Sequence, residues 1–342
     1  MKIITKGKNM NNFKKVGLTA LAGSLAAISA NAAEMSVSGA SVLTYTTEDS
    51  SEVTGNPWGM KTNLSFTASG EVNGYTVSYM QTSKDQFAGM SSARLSVDMG
   101  DMGTIAFDQG SGSGLATIDD KTPAAAEEIW DGIDTDATYG TGGLVGSAGN
   151  SGVWNYINTF SGVTLNAAFR KGSGTSNADG ASSNAGQGAW DFALTTDGAM
   201  IGVDGLSMGV GYGEAEVGEQ TGTVDHDNED KTIFANYSFG PGTFGYQVSS
   251  LEKGAKSGID QDVTAWGLAF NVNENLSISY GEREVEYNNP TAVNVTEDGE
   301  GVGVAYTMGS IKIAGNRNEV SNNNNTASSN DEMTEIAVSF AF

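Results

Sequence analysis

The last ten residues of the chain, 333–342, alternate between two kinds of side chain. Every even position from 336 onward is large and apolar, whereas the odd positions from 335 onward carry glutamate, alanine or serine. A period of two is the pattern of a β-strand with one apolar face. Because similar segments recur along the chain, the sequence predicts an all-β protein built from many short strands. The recurring alternation also argues against intrinsic disorder.

Sixteen segments fit this pattern. Each has a length near ten residues, which is what a tilted β-strand needs to cross a bilayer. The predicted strands cover residues 35–46, 61–71, 74–83, 90–99, 103–109, 152–160, 163–171, 187–196, 205–214, 230–239, 243–252, 261–272, 275–286, 299–308, 311–320 and 332–342.

The links between these segments alternate in length. Short links rich in glycine and asparagine, such as 71–74 and 240–242, alternate with longer ones, of which 110–151 is the longest. Tight hairpin turns need residues that accept a positive φ, which Gly and Asn do. A soluble β-sandwich would not alternate its loops in this way, and a solenoid would show a fixed repeat, which is not visible. The pattern therefore favours a transmembrane antiparallel β-barrel with short periplasmic turns and long extracellular loops.

The first 32 residues have the features of a secretory signal peptide. Five lysines precede an apolar stretch over residues 16–28, and an A-x-A site follows at Ala30–Ala32. We expect cleavage after Ala32 or Ala33, which makes residues 33–342 one barrel domain. The alternative is an N-terminal membrane anchor, although the stretch is short and only weakly hydrophobic for a span.

Composition excludes several functions. The chain has 17 Lys and Arg, and removal of the five lysines of the leader leaves 12 bases against 41 acids, a net charge of −29. Such an acidic protein does not bind nucleic acid by neutralising phosphates. The chain has no cysteine, so disulfides and thiolate metal sites are excluded.

The final strand ends on Phe342, an aromatic end that resembles the closing strand of bacterial outer-membrane barrels. Together with strand number and loop pattern, the whole chain after residue 32 resembles the sixteen-stranded general porins, most closely those of alphaproteobacteria. The resemblance implies an outer-membrane location, a homotrimer surrounded by lipid and lipopolysaccharide, and a role for Phe342 as an assembly signal. It also implies that the loop after the fifth strand, residues 110–151, folds into the lumen and narrows the channel.

That loop is strongly acidic, and residues 124–130 within it could form a short helix. We expect its acids to form one half of a constriction, although charge runs also mark solvated surface loops. The candidate acids are Asp119, Asp120, Glu127, Glu128, Asp131, Asp134 and Asp136.

The alternation of side chains between the two faces of a strand, its parity, predicts which basic side chains face the pore from the opposite wall. Each candidate alternates with large apolar residues that would face lipid. The candidates are Lys61, Arg94, Arg170 and Arg283, with Lys312 inward but nearer the periplasmic rim; each could equally be an ordinary charge at the base of a loop.

No catalytic site is evident, and no cofactor is expected. The one histidine, His226, lies in an acidic run at 225–230 without the serine arrangement of a triad. The run spaces its carboxylates like a calcium loop but lacks the glycine of that motif, so calcium bridging of acidic loops stays open as a metal role.

We therefore expect a porin that passes small hydrophilic solutes and ions by passive diffusion, with a mild preference for cations. Two alternatives stay open. One is a substrate-preferring channel of the same fold, which an aromatic track inside the lumen would indicate; inward positions are instead mostly Ser, Thr, Gly and Asn. The other is a non-conducting surface or adhesin barrel.

Overall fold

A computed structural model describes residues 34–48, 55–83, 89–133, 151–171, 188–217 and 226–342. The described chain forms sixteen strands, each overlapping a predicted one, and the leader predicted at 1–32 lies outside these residues. The strands are β1 (Glu34–Glu48), β2 (Trp58–Val72), β3 (Tyr75–Ser83), β4 (Met90–Asp98), β5 (Thr104–Gln109), β6 (Ser151–Phe160), β7 (Val163–Arg170), β8 (Ala189–Asp197), β9 (Leu206–Ala215), β10 (Asn228–Phe239), β11 (Gly242–Glu252), β12 (Asp260–Asn271), β13 (Leu276–Asn288), β14 (Glu297–Met308), β15 (Ile311–Ser321) and β16 (Asp331–Ala341).

Each strand pairs with its sequence neighbours, and β1 also pairs antiparallel with β16, so the sheet closes into a barrel. Closure gives the main-chain groups of every strand a partner on both sides, which the interior of a bilayer demands. The fold class predicted from the alternation is therefore confirmed. Among the described residues, no helix is both long and apolar enough to span a membrane.

The alternation sorts side chains between the two faces of the wall. On β10, Ile233 and Tyr237 stand on the outer face and are 58% and 46% exposed, whereas Phe234 points inward and is buried. Short connections are tight turns, as at Asn73 and Gly74, whose φ angles are 53° and 85°. These positive angles are the reason why the turns carry Asn and Gly.

The inside of the barrel is not uniformly polar. An apolar cluster lies within it and joins two residues of the loop after β5, Leu115 and Ile118, to inward side chains of the wall. The sequence predicted mostly small polar residues at inward positions, and the cluster is the exception that holds the loop. Its wall members are Ala193, Phe234, Val263, Val285 and Tyr287.

Candidate functional site

The loop that follows β5 enters the barrel directly from the strand end. Asp108 is fully buried at its root and accepts a hydrogen bond from the backbone N–H of Ser111 at 2.9 Å. The Arg94 guanidinium, inward on β4, donates to the carbonyl of Gly112 at 3.4 Å and to the side chain of Asn155. Arg94 thus faces the lumen as predicted, and in the structure it holds the start of the loop.

The helix predicted at residues 124–130 is not formed, and that prediction was wrong. A single 3-10 helix, Gly114–Ile118, lies earlier in the described part of the loop, and the chain beyond it is irregular. The bonds between neighbours here are single turns, such as that from the N–H of Asp131 to the carbonyl of Glu128, and other backbone groups of the stretch bond to the barrel wall. The N–H of Ala125, for example, donates to Ser279 Oγ at 2.9 Å.

Polar side chains on six wall strands hold the loop; we call them the wall anchors. Gln247, fully buried on β11, makes the most bonds: its Oε1 accepts from the N–H of Lys121 at 2.7 Å, and its Nε2 donates to the carbonyl of Ile118 at 2.8 Å. Asn318 on β15 donates to the carbonyls of Glu128 and Asp131 at 3.0 and 2.8 Å. Apart from Arg94 at the root of the loop, the wall anchors are Asn166, Asp191, Asn236, Gln247, Ser279 and Asn318.

Inward glycines of β9 and β11–β14 make room for the loop. A side chain on Gly211 would collide with Leu115, and one on Gly245 would collide with Pro123. Glycine inside a strand marks such a close approach of another backbone. One glycine of the stretch 209–213 and two of the stretch 299–303 therefore belong to a docking groove. We call this groove the glycine track, and it consists of Gly211, Gly245, Gly267, Gly281, Gly301 and Gly303.

The anchored loop presents its acids as one group, the acidic segment 119–131. Burial raises the pKa of the carboxyls in this segment above the ordinary range, and for Asp120 and Asp131 the neighbouring carboxylates raise it further. These carboxyls are only partly buried, so they remain accessible to water, and their grouping concentrates negative charge in one place. The acids affected are Asp119, Asp120, Glu127, Glu128 and Asp131.

Two lysines of the wall lie close enough to act on this segment. For Glu127, burial and Glu128 raise the pKa, whereas Lys312 and Lys61 lower it. Lys61 also lowers the pKa of Asp131. The structure therefore brings Lys61, as predicted, and Lys312 to the acidic segment, from the inner faces of β2 and β15.

The remaining arginines are placed differently. Arg283 is inward on β13, as parity predicts, but it is buried, pairs with the buried carboxylate of Glu297 and lies 5.4 Å from the ring of Trp130. Tyr287 donates a second bond to Glu297 at 2.7 Å. Arg170 is inward on β7, at the end of that strand nearest the long loops. Their role in a constriction stays a prediction.

The structure describes only some of the remaining predicted features. Asp134 and Asp136 lie outside the described residues, as do residues 218–225 of the loop that carries His226. Within the described ranges, no group of three or more His, Cys, Asp or Glu side chains could hold a metal ion. Calcium bridging therefore stays a prediction. Phe342 lies beside β1, with its ring 65% exposed on the outside.

Sequence reasoning missed the wall anchors and one acid, Glu335, which points inward from β16. Glu335 acts on the acidic segment by raising the pKa of Glu127. Parity alone could have placed Glu335 and Gln247 on the inner face. The contact of Gln247 with the loop could not be found in the same way, because it joins positions more than 120 residues apart in the chain.

Comparison with known proteins agrees with this arrangement. The family model described as Gram-negative porin matches residues 17–340. No match was found among curated protein sequences. Among solved structures, the trimer form of OmpT from Vibrio cholerae is 13% identical, with a TM-score of 0.66 over 91% of this chain and 100% of that one.

Two further solved structures share the fold. A variant of the Rh. blastica porin is 14% identical, with a TM-score of 0.61 over 90% of this chain and all of that one. An anion-selective porin from Comamonas acidovorans is 12% identical, with a TM-score of 0.59 over 91% of this chain and all of that one. At such low identity these likenesses concern the fold alone, and the family assignment comes from the match over 17–340. The chain belongs to the Gram-negative porin family and is an outer-membrane channel protein.

Proposed function

We propose that the barrel is a water-filled channel through which small hydrophilic solutes and ions diffuse passively, with a modest preference for cations. The observation that carries the proposal is the acidic segment, fixed against the inner wall by the wall anchors with Lys61 and Lys312 nearby. Fixed charges of both signs set a field across a narrow passage. Polar solutes orient in such a field, whereas apolar ones must disrupt ordered water to enter.

The preference for cations follows from the balance of charge. Arg94 and Arg283 make hydrogen bonds to the loop root and to Glu297, so fewer free bases oppose the acids than strand parity suggests. The fold itself does not decide whether a channel prefers cations or anions, because the Comamonas acidovorans structure with the same architecture is described as anion-selective. The side chains of this chain must therefore decide it.

We also propose a homotrimer in the lipid and lipopolysaccharide of the outer membrane. The trimeric state of the Vibrio cholerae OmpT structure supports this proposal by analogy of fold. Purified protein should migrate as a trimer in detergent and dissociate on boiling. Neither a cofactor nor catalysis is part of the proposal, and the family and fold point to a channel instead of an enzyme.

The deciding experiment is a planar-bilayer recording of the purified protein. We expect stepwise conductance and, in a KCl gradient, a reversal potential that favours K⁺. Asp119→Lys combined with Asp120→Lys should lower that preference, whereas Asp204→Lys, in the short link between β8 and β9, serves as the control. Absence of conductance would favour a non-conducting surface barrel, and saturable flux of one sugar would favour a substrate-preferring channel.

A further inference from the structure

Glu335 points into the barrel from the middle of β16. Its neighbours Ile336 and Phe340 stand on the outer face and are about half exposed, so the odd positions of this strand face inward. In the sheet, Glu335 lies between Thr46 on β1 and Asn316 on β15. Glu335 therefore belongs to the inner wall. It lies near Ile133, where the described part of the loop after β5 ends.

The next inward residue of the same strand touches that loop. Met333 is buried and packs against Ile133, and Gly132 has no room for a side chain beside it. Asn318, the register partner of Met333, donates to the carbonyls of Glu128 and Asp131. Because alternate residues of a strand are about 7 Å apart, Glu335 lies one inward step from the place where the acidic segment meets the wall.

The charge of Glu335 has no basic partner in direct contact. Thr46 Oγ1 donates to its carboxylate at 2.8 Å, and within the described ranges no ion pair joins Glu335 to a lysine or arginine. A hydroxyl orients a carboxylate without neutralising it. Glu335 also raises the pKa of Glu127, in agreement with a position facing the loop.

We propose that Glu335 is a specificity-determining residue of the channel, a fixed negative charge on the wall that offsets Lys61 and Lys312 and keeps the passage cation-preferring. The inference rests on the proposed channel function. A permeating cation would pass the carboxylates of the acidic segment and, one inward step along the wall, the carboxylate of Glu335. The two lysines alone would make the wall positive and would exclude cations from its side of the passage.

The test compares three single variants in planar bilayers. Glu335→Gln keeps an oxygen that can accept from Thr46 but removes the charge. Glu335→Asp keeps the charge. Glu332→Gln is the matched control, because Glu332 carries the same charge three residues away on the outer face, where it pairs with Arg317 at 2.7 Å. Reversal potentials in a KCl gradient give the ratio of K⁺ to Cl⁻ permeability for each.

We expect Glu335→Gln to lower this ratio by about twofold, the combined effect on cation and anion of one unit charge at about 8 Å in water screened by about 0.1 M salt. Glu335→Asp and Glu332→Gln should keep the wild-type ratio. A normal conductance with an unchanged ratio in Glu335→Gln, or an equal fall in Glu332→Gln, would overturn the inference while leaving the channel function intact. Wild-type protein that does not conduct would instead refute the proposed function.

Discussion

Phe342 and Gly39 exchange two main-chain hydrogen bonds: the N–H of Phe342 donates to Gly39 at 3.0 Å, and the N–H of Gly39 donates to Phe342 at 2.9 Å. These bonds continue the ladder between β16 and β1 that closes the barrel. The aromatic ring meanwhile projects from the outer face. The backbone and the side chain of Phe342 thus have separable contributions.

Deletion of Phe342 should lower the amount of protein that reaches the outer membrane more than Phe342→Ala does. The deletion removes both bonds to Gly39, at a cost of about 1–3 kcal/mol in the free energy of unfolding, whereas the alanine variant loses only the ring. Phe342→Tyr, which keeps an aromatic ring, is the control. Quantitative blots of outer-membrane fractions measure the effect, and equal levels for the deletion and wild type would contradict it.

Gln247→Leu should loosen the acidic segment. The variant keeps the bulk but leaves the N–H of Lys121 and the carbonyl of Ile118 without their partner, and each unsatisfied buried group costs about 1–3 kcal/mol. We expect noisier single-channel currents and entry of larger sugars in liposome swelling. Gln81→Leu is the control, since the Gln81 side chain accepts from Tyr79 on the outer face, away from the loop. Unchanged size exclusion would mean that other anchors suffice.

The pair Arg283–Glu297 should contribute to stability more than to conduction. Both side chains are buried, so Arg283→Met leaves Glu297 without its charged partner and should cost about 3–5 kcal/mol in the free energy of unfolding. The double variant with Glu297→Gln should recover part of the loss, because no unpaired charge remains. Thermal denaturation in detergent measures both. If the two single variants were as stable as wild type, the pair would have no structural role.

The cation preference should fall with acidification at a higher pH than an ordinary carboxyl group predicts. Burial raises the pKa of Glu127 and Asp131, so these groups lose their charge earlier as the pH decreases. The docked loop binds these protons more tightly than a free loop would, so acidification also favours docking. This proton-linked stabilisation of the docked loop is lost as the pH rises through the raised pKa values of the two carboxyls.

Reversal potentials recorded between pH 7 and pH 4 test this dependence. The combination of Glu127→Gln and Asp131→Asn should flatten the titration, whereas Glu284→Gln, on the outer face of β13, should not. A cation preference that stays constant until the pH reaches the range in which exposed carboxyl groups titrate would show that the acidic segment does not control selectivity.

Much of the architecture was predictable because barrel strands carry local signals. The alternation around Trp266, Leu268 and Phe270 and the turn at Asn73 and Gly74 are fixed by steric and solvation rules that act within a few residues. Parity likewise placed Lys61, Arg94 and Arg283 on the inner face. The predicted helix at 124–130 failed because the wall supplies partners for part of that backbone, such as Ser279 for the N–H of Ala125.

The sequence by itself thus determined the number of strands, the face on which each side chain lies, and the long and short connections. Only the tertiary structure decided which inward charges meet: Lys61, Lys312 and Glu335 gather near the acidic segment, whereas Arg283 pairs with Glu297. The physical reason is that barrel closure and loop docking join residues far apart in the chain. Such encounters depend on register and on the space left by the glycine track, and neither is encoded in the alternation of any one strand.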